Sequence, residues 1–232
     1  INSTWSLGDD YNSSLESYFF ARIDRSANTV AGAGTTGQKT DTVYVPGFRV
    51  SSNPIEGLMT SLELAWQYGN NAVTGDTAGS EDNIRRDAMG AQVLASYAIP
   101  GETIKDYTPV VSGSYTYVSG DSNPDNERDA NTPASDNEWT AWHQMFEGQA
   151  GGTIYNTLFD LTNAHIYNLG LQINPWEDVT AKVSWWGIWL DKEIDEADGD
   201  ADTADFLIRQ PDGTTLVPVV AVDEKLVGNE LD

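Results

Sequence analysis

The feature that most constrains the fold of this sequence is an alternation of apolar and polar residues that recurs along the chain. In 58–69, LMTSLELAWQYG, one side of the alternation carries Leu58, Thr60, Leu62, Leu64, Trp66 and Tyr68. The other side carries Met59, Ser61, Glu63, Ala65, Gln67 and Gly69. Because successive side chains of a β-strand point to opposite faces of the sheet, this two-residue period predicts a strand with one apolar and one polar face.

The same period predicts further strands elsewhere in the chain. It is clear in 88–99, 107–119, 165–174 and 179–190, and weaker in 15–24, 42–51 and 225–232. That makes about eight strands, each close to the 9–11 residues that cross a bilayer at a tilt. No run of about 18 apolar residues occurs, which excludes a helical membrane span.

The predicted connections alternate between short and long. The short ones are 52–57, 100–106 and 174–178, which are rich in the turn formers Pro, Gly, Asn and Asp, and the long ones are 25–41, 70–87, 120–164 and 191–224. Such alternation is expected of an up-and-down barrel with periplasmic turns and extracellular loops. We therefore predict an all-β, antiparallel, up-and-down transmembrane β-barrel.

The charge of the chain is concentrated in the long connections. The net charge is −24, and 70–86, 119–163 and 191–224 hold 22 of the 36 acidic residues against five basic ones. A chain this acidic is not expected to bind nucleic acid, since phosphate contacts need clusters of Lys and Arg. The absence of cysteine excludes disulfides and thiolate chemistry.

Aromatic residues lie at the predicted strand ends, where an aromatic girdle would meet the lipid headgroups. The girdle candidates are Trp66, Tyr68, Tyr115, Tyr117, Trp185 and Trp189 at one rim and Trp176 at the other. Ordinary aromatic packing in a soluble sheet is the alternative interpretation. The polar sides of the strands supply candidates to line a lumen: Arg22, Arg49, Glu63, Gln67, Gln92, Asn168, Gln172 and Lys182.

Three stretches resemble the alginate-export-domain family of Gram-negative outer-membrane β-barrels. They are PIEGLMTSLELAWQYGN, YTPVVSGSYTYVSGDSNPDN and NLGLQINPWEDVTAKVSWWGIWLDKE, followed downstream by VGNELD. The resemblance covers about 44–232 and implies a larger barrel that moves solutes, such as polysaccharide, across the outer membrane without catalysis. Residues 1–232 would then be one barrel domain, incomplete at one or both ends.

The wall offers few basic residues for a polyanion, and lining charge sets the selectivity of a pore. We therefore expect a porin for small hydrophilic solutes or saccharides rather than a dedicated alginate channel. Outer-membrane lipid and lipopolysaccharide are the expected surroundings, and a homo-oligomer is compatible with them. The alternatives are a structural or adhesive surface barrel and a soluble β-sandwich that binds carbohydrate.

The acidic stretch 195–205, DEADGDADTAD, offers a weak calcium site. Asp198, Asp200 and Asp202 have the spacing of the first three ligands of a calcium loop, but Thr203 stands where its glycine belongs and Arg209 where its last acid belongs. A solvated acidic loop is the simpler interpretation, so calcium is the one candidate cofactor.

Neither histidine lies beside a nucleophile motif, so no catalytic residue and no enzyme are predicted. Trp139, Trp142 and Phe146 have the spacing of one helical face, which predicts a short helix or an infolded loop that narrows the barrel mouth.

Overall fold

The computed structural model describes residues 1–29, 38–71, 84–101, 107–121, 138–145, 151–193, 207–209, 216–218 and 225–232. The strands in these ranges are β1 (Asn2–Ser6), β2 (Ser14–Thr29), β3 (Gln38–Ile55), β4 (Leu58–Asn71), β5 (Ile84–Ala98), β6 (Val110–Val118), β7 (Glu138–Trp139), β8 (Ala164–Trp176), β9 (Val179–Leu190), β10 (Leu207–Arg209), β11 (Leu216–Pro218) and β12 (Leu226–Leu231). One helix, α1 (Thr153–Leu158), precedes β8. The described chain is therefore all-β, as the alternation predicts.

Ten of these strands form a single sheet. Its order is β1–β2–β3–β4–β5–β6–β8–β9–β12, with β7 paired to β5, and β10 and β11 form a separate two-stranded sheet. Every pairing along the main path is antiparallel, whereas β7 runs parallel to β5. The prediction of an antiparallel up-and-down sheet is confirmed, with β1 and β7 added to the strands that were predicted.

Several predicted strand ends were wrong. β9 begins and ends where the alternation predicts. β2, in contrast, continues past 24 to Thr29, and β3 begins before 42, at Gln38. Backbone pairing reaches Asn28 opposite Lys39 and Thr29 opposite Gln38, so the connection predicted at 25–41 shortens to 30–37. Pairing with a neighbouring strand therefore continues where the apolar alternation has stopped.

Two of the three short connections are tighter than predicted, whereas the one predicted at 100–106 is longer, since β5 ends at Ala98 and β6 begins at Val110. β3 runs to Ile55, so the turn predicted at 52–57 consists of Glu56 and Gly57. Gly57 has a φ of 80°, a conformation that an L-residue rarely adopts. β8 likewise runs to Trp176, which leaves Glu177 and Asp178 as its turn into β9.

The two faces of the sheet differ in exposure. We call the face that carries Ser61, Glu63, Ala65 and Gln67 the inner face; Ser61, Ala65 and Gln67 are buried there. We call the opposite face the outer face; its Leu62 is 41% exposed and Trp66 40% exposed. The pairing of β4 with β5 extends both faces to the next strand: Gln92, opposite Glu63, lies on the inner face, and Val93, opposite Leu62, lies on the outer face. The small and polar side is thus the covered side.

The chain between β6 and β8 crosses the inner face. We call its described parts, 138–145 and 151–161, the inner segment. Of the two alternatives predicted from Trp139, Trp142 and Phe146, the short helix was wrong: β7 is followed by non-helical residues up to 145, and Phe146 lies outside the described residues. In the described ranges no helix has the length and apolar character needed to cross a membrane.

Candidate functional site on the inner face

A pair of hydrogen bonds fixes the inner segment to the sheet. The Gln67 side-chain nitrogen donates to the carbonyl oxygen of His143 at 2.8 Å, and the His143 amide donates to the Gln67 side-chain oxygen at 2.8 Å. Gln67 is 1% exposed. Buried peptide groups require hydrogen-bond partners. The Gln67 side chain provides them for the backbone amide and carbonyl of His143, in place of a neighbouring strand.

Ser119, directly after β6, provides a second attachment. Its hydroxyl donates to the carbonyl oxygen of Thr140 at 2.7 Å, and its carbonyl oxygen accepts from the Trp142 amide at 2.8 Å. The Thr140 amide in turn donates to a carboxylate oxygen of Asp121 at 2.8 Å. The Trp142 ring lies over Gly90, where an added Cβ would approach it to 3.0 Å.

Glu230 of β12 holds the start of α1. One of its carboxylate oxygens accepts from the amides of Thr153 and Ile154 at 2.7 and 2.6 Å, and the other accepts from the Tyr155 amide at 3.1 Å. The first amides of a helix have no partner within the helix, so a carboxylate satisfies three of them at once. Glu230 is buried, at 7% exposure.

Apolar contacts complete the docking in two places. Beneath α1, one cluster joins the inner faces of β6, β8 and β9, and its buried members are Val118, Tyr155, Ala164, Ile166, Ile188 and Leu190. Trp142 and Met145 pack against a second cluster formed by Val43, Val45 and Ala65. The inner segment is therefore a packed part of the structure.

A cavity of about 570 Å³ remains between the inner segment and the sheet. The polar side chains that line it include Glu16, Arg49, Glu63, Gln67, Gln92 and His143. Glu16, Arg49 and Glu63 lie directly opposite one another on β2, β3 and β4, which places a cation between two acids. Facing opposite charges stabilise neighbouring strands, and here they also make one wall of the cavity ionic.

Hydrogen bonds orient the ionic wall. The Tyr18 hydroxyl donates to a Glu63 carboxylate oxygen at 2.5 Å, and the Arg49 Nε donates to the Ser61 hydroxyl at 3.1 Å. Next to this wall, Gln92 Nε2 donates to the Thr116 hydroxyl at 2.9 Å. The carboxylate, guanidinium, amide and hydroxyl groups of this surface can bind ions and form hydrogen bonds with hydroxyl-rich solutes.

Two arginines, each paired with an aspartate, lie where the inner segment meets the strand ends near the long connections. Arg22 Nη1 lies 3.3 Å from His143 Nε2, and Arg86, which is 1% exposed, pairs with Asp41 at 3.4 Å. Burial, together with the positive charges of Arg86 and Arg22, lowers the pKa of His143 to about 4, against the opposing effect of Asp41. His143 is therefore neutral at neutral pH, because the charged form is disfavoured there.

The structure brings together half of the predicted lumen residues. Arg49, Glu63, Gln67 and Gln92 line the cavity. Arg22 reaches the same place through His143.

The other three lumen candidates lie elsewhere. The Asn168 side-chain nitrogen donates to the carbonyl oxygen of Trp185 at 3.0 Å. Gln172 and Lys182 face each other on β8 and β9, near the short turn. None of the three lines the cavity.

The residues predicted to form an aromatic girdle lie on the outer face. Trp66 and Tyr68 are 40% and 46% exposed, and Trp176 is 72% exposed beside its short turn. The remaining members, Tyr115, Tyr117, Trp185 and Trp189, are half-buried. Some of these rings contact their neighbours: Tyr115 lies 4.9 Å from Tyr167 and Trp189 lies 5.2 Å from Tyr167, between ring centroids. Contact of these rings with lipid headgroups stays a prediction.

The calcium candidates Asp198, Asp200 and Asp202 lie outside the described residues. Within the described ranges, no group of three or more His, Cys, Asp or Glu side chains could hold a metal ion. The sequence did not indicate the role of Glu230, the burial of Arg86 against Asp41 or the attachment of His143. No local pattern indicates them, because each contacts residues more than 40 positions away.

No protein-family model matches this chain, and no curated protein or solved structure matches it. Membership of the alginate-export-domain family therefore stays a prediction.

Proposed function

We propose that this chain forms the wall of a transmembrane β-barrel in a Gram-negative outer membrane and conducts small hydrophilic solutes. The observation that supports the proposal best is the distribution of residues over the two faces. On the outer face Leu62, Val93 and Leu169 are 41%, 46% and 60% exposed, whereas Gln67 on the inner face is 1% exposed. A sheet in water buries its apolar face, whereas a barrel in lipid exposes it.

The proposed mechanism is selection by size and charge along the inner face. Solutes would pass the ionic wall of Glu16, Arg49 and Glu63 while the inner segment narrows the path. Closure of the sheet into a barrel, by its own edges or by further strands, is part of the proposal. No cofactor is needed for such filtering.

A second candidate is a plugged surface barrel whose loops bind a partner or calcium. It is favoured by the attachment of the inner segment, which Gln67, Ser119 and Glu230 fix with hydrogen bonds. A segment held this firmly can close a pore as well as narrow it. The two candidates share one architecture and differ in whether water and ions pass.

The test is single-channel recording in a planar bilayer under a salt gradient, after the chain has been shown to insert into lipid vesicles. Steady ohmic steps support a porin, and the sign of the reversal potential gives its ion preference. Inserted protein without conductance supports the plugged barrel. A chain that stays monodisperse in water without detergent contradicts both and favours the soluble carbohydrate-binding sheet.

A further inference from the structure

We propose that the outer face of β6, β8 and β9 carries a binding groove for one anionic, phosphate-bearing lipid, an inference that rests on the membrane location proposed above. The groove has a volume of about 580 Å³. Its lining includes Gly113, His165, Tyr167, Leu169, Trp185 and Trp189, with Lys225 at one end.

Two glycines shape the groove: Gly113 lines it, and Gly187 accommodates the two indole rings that border it. Gly113 lies opposite Leu169, and Gly187 lies opposite Tyr167, so each glycine is paired with a large side chain of β8. A Cβ on Gly187 would meet the Trp185 and Trp189 rings at 2.8 and 2.7 Å, so both indoles bend over this glycine. At Gly113 an added Cβ would make an ordinary van der Waals contact with Leu169 at 3.5 Å, so a larger side chain there would extend into the groove that Gly113 lines.

The groove and the exposed apolar surface that continues it along β9 together have the length of an acyl chain in one leaflet. From Trp189 to Val183 the outer face of β9 runs six residues, or about 20 Å at the usual strand rise. At a strand tilt of about 45° this distance spans about half of the roughly 30 Å hydrocarbon thickness. Val183 and Leu171, paired below the groove, are both exposed and continue the apolar surface.

The charges at one end of the groove fit a phosphate headgroup. Lys225 is exposed, and its Nζ donates to the carbonyl oxygen of Asp191 at 3.1 Å. The ammonium has three N–H donors, so two remain for a ligand. The nearby Asp191 carboxylate accepts from the Gly120 amide at 3.0 Å and lies 3.4 Å from His165 Nε2. These contacts occupy the Asp191 carboxylate, and the Lys225 ammonium is the group at this end of the groove that offers donors to a ligand.

The test measures lipid retained by the purified chain. The chain is reconstituted with equal amounts of phosphatidylglycerol and phosphatidylcholine that carry the same acyl chains, then delipidated in detergent and examined by native mass spectrometry. We expect one retained phosphatidylglycerol per chain, in preference to phosphatidylcholine. Lys225→Ala should lower its occupancy about fivefold, the effect of one lysine near a membrane surface, whereas Lys182→Ala should leave it unchanged.

A second pair of variants tests the groove itself. Gly113→Leu fills the space above the glycine and should abolish retention, while Ala181→Leu, on the outer face near the short turn, should not. Equal retention of both lipids, or equal loss in Lys225→Ala and Lys182→Ala, would overturn the proposed site while leaving the membrane location intact. Failure of the unmodified chain to insert into vesicles would instead contradict the proposed function.

Discussion

Gln67 and His143 are 76 residues apart in sequence, yet the side chain of one satisfies both backbone groups of the other. This double hydrogen bond joins the middle of the sheet to the inner segment. It is the contact that holds 138–145 of the inner segment against the buried face of β4.

The first prediction concerns this attachment. Gln67→Leu keeps the side-chain size but leaves the His143 amide and carbonyl without partners, which costs about 1–3 kcal/mol for buried groups. We expect faster hydrogen exchange at 142–144 and a larger or noisier single-channel conductance. Gln92→Leu is the control, because Gln92 bonds to Thr116 and not to the inner segment. Unchanged exchange at 142–144 in Gln67→Leu would show that the attachment is not needed for docking.

The second prediction concerns Glu230. Glu230→Ala removes the acceptor of three amides at the start of α1 and should lower the free energy of unfolding by about 2 kcal/mol. Glu177→Ala, in the exposed turn between β8 and β9, should change it by less than about 0.5 kcal/mol. Urea denaturation in detergent measures both values. Equal stability of the two variants would contradict the role assigned to Glu230.

The third prediction is a pH dependence that arises from His143. Its pKa is about 4 in the folded chain, against an ordinary value of 6.5. Between these values the unfolded chain binds more protons than the folded chain, so stability falls as the pH drops from 6.5 toward 4. This one group contributes at most about 3 kcal/mol to the loss.

His143→Gln tests that pH dependence, since glutamine does not titrate and still offers an acceptor to Arg22. The difference in unfolding free energy between pH 7 and pH 4.5 should shrink by more than about 1 kcal/mol in this variant. An unaltered pH profile in His143→Gln would mean that other groups cause it.

The fourth prediction tests the assignment of the faces. Val93 is 46% exposed on the outer face, and its neighbour Gln92 lines the inner cavity. Val93→Arg should reduce insertion into lipid vesicles strongly, because an arginine near the bilayer midplane costs about 2–4 kcal/mol. Gln92→Arg should insert nearly as well as the unmodified chain. If the two variants insert equally, the outer face does not contact lipid.

The strands could be predicted because the alternation of apolar and polar residues that produces them is a local feature of the sequence. Alternation alone gives both ends of β9 and the face on which Leu62 and Gln67 lie. It misses β1, whose NSTWS sequence carries one large apolar residue, and it ends β2 too early because pairing with β3 continues through polar residues.

The inner segment could not be predicted in the same way. The spacing of Trp139 and Trp142 indicates a helical face, but the described residues around them form β7 beside β5 and then a non-helical stretch. Partners distant in sequence decide this conformation: Arg86 lies opposite Trp139, and Ser119 bonds to Thr140. A local pattern carries no information about partners of this kind.

The position of Glu230 on the last described strand has a consequence for the order of assembly. Hairpins such as β3–β4 and β8–β9 join neighbours in sequence and can form early, because closing a short loop loses little chain entropy. The first amides of α1, in contrast, bind the carboxylate of Glu230, which lies 75 or more residues later in the chain. Residues 138–145 can therefore dock on Gln67 and Ser119 without β12, whereas the docking of α1 on Glu230 would mark the end of folding.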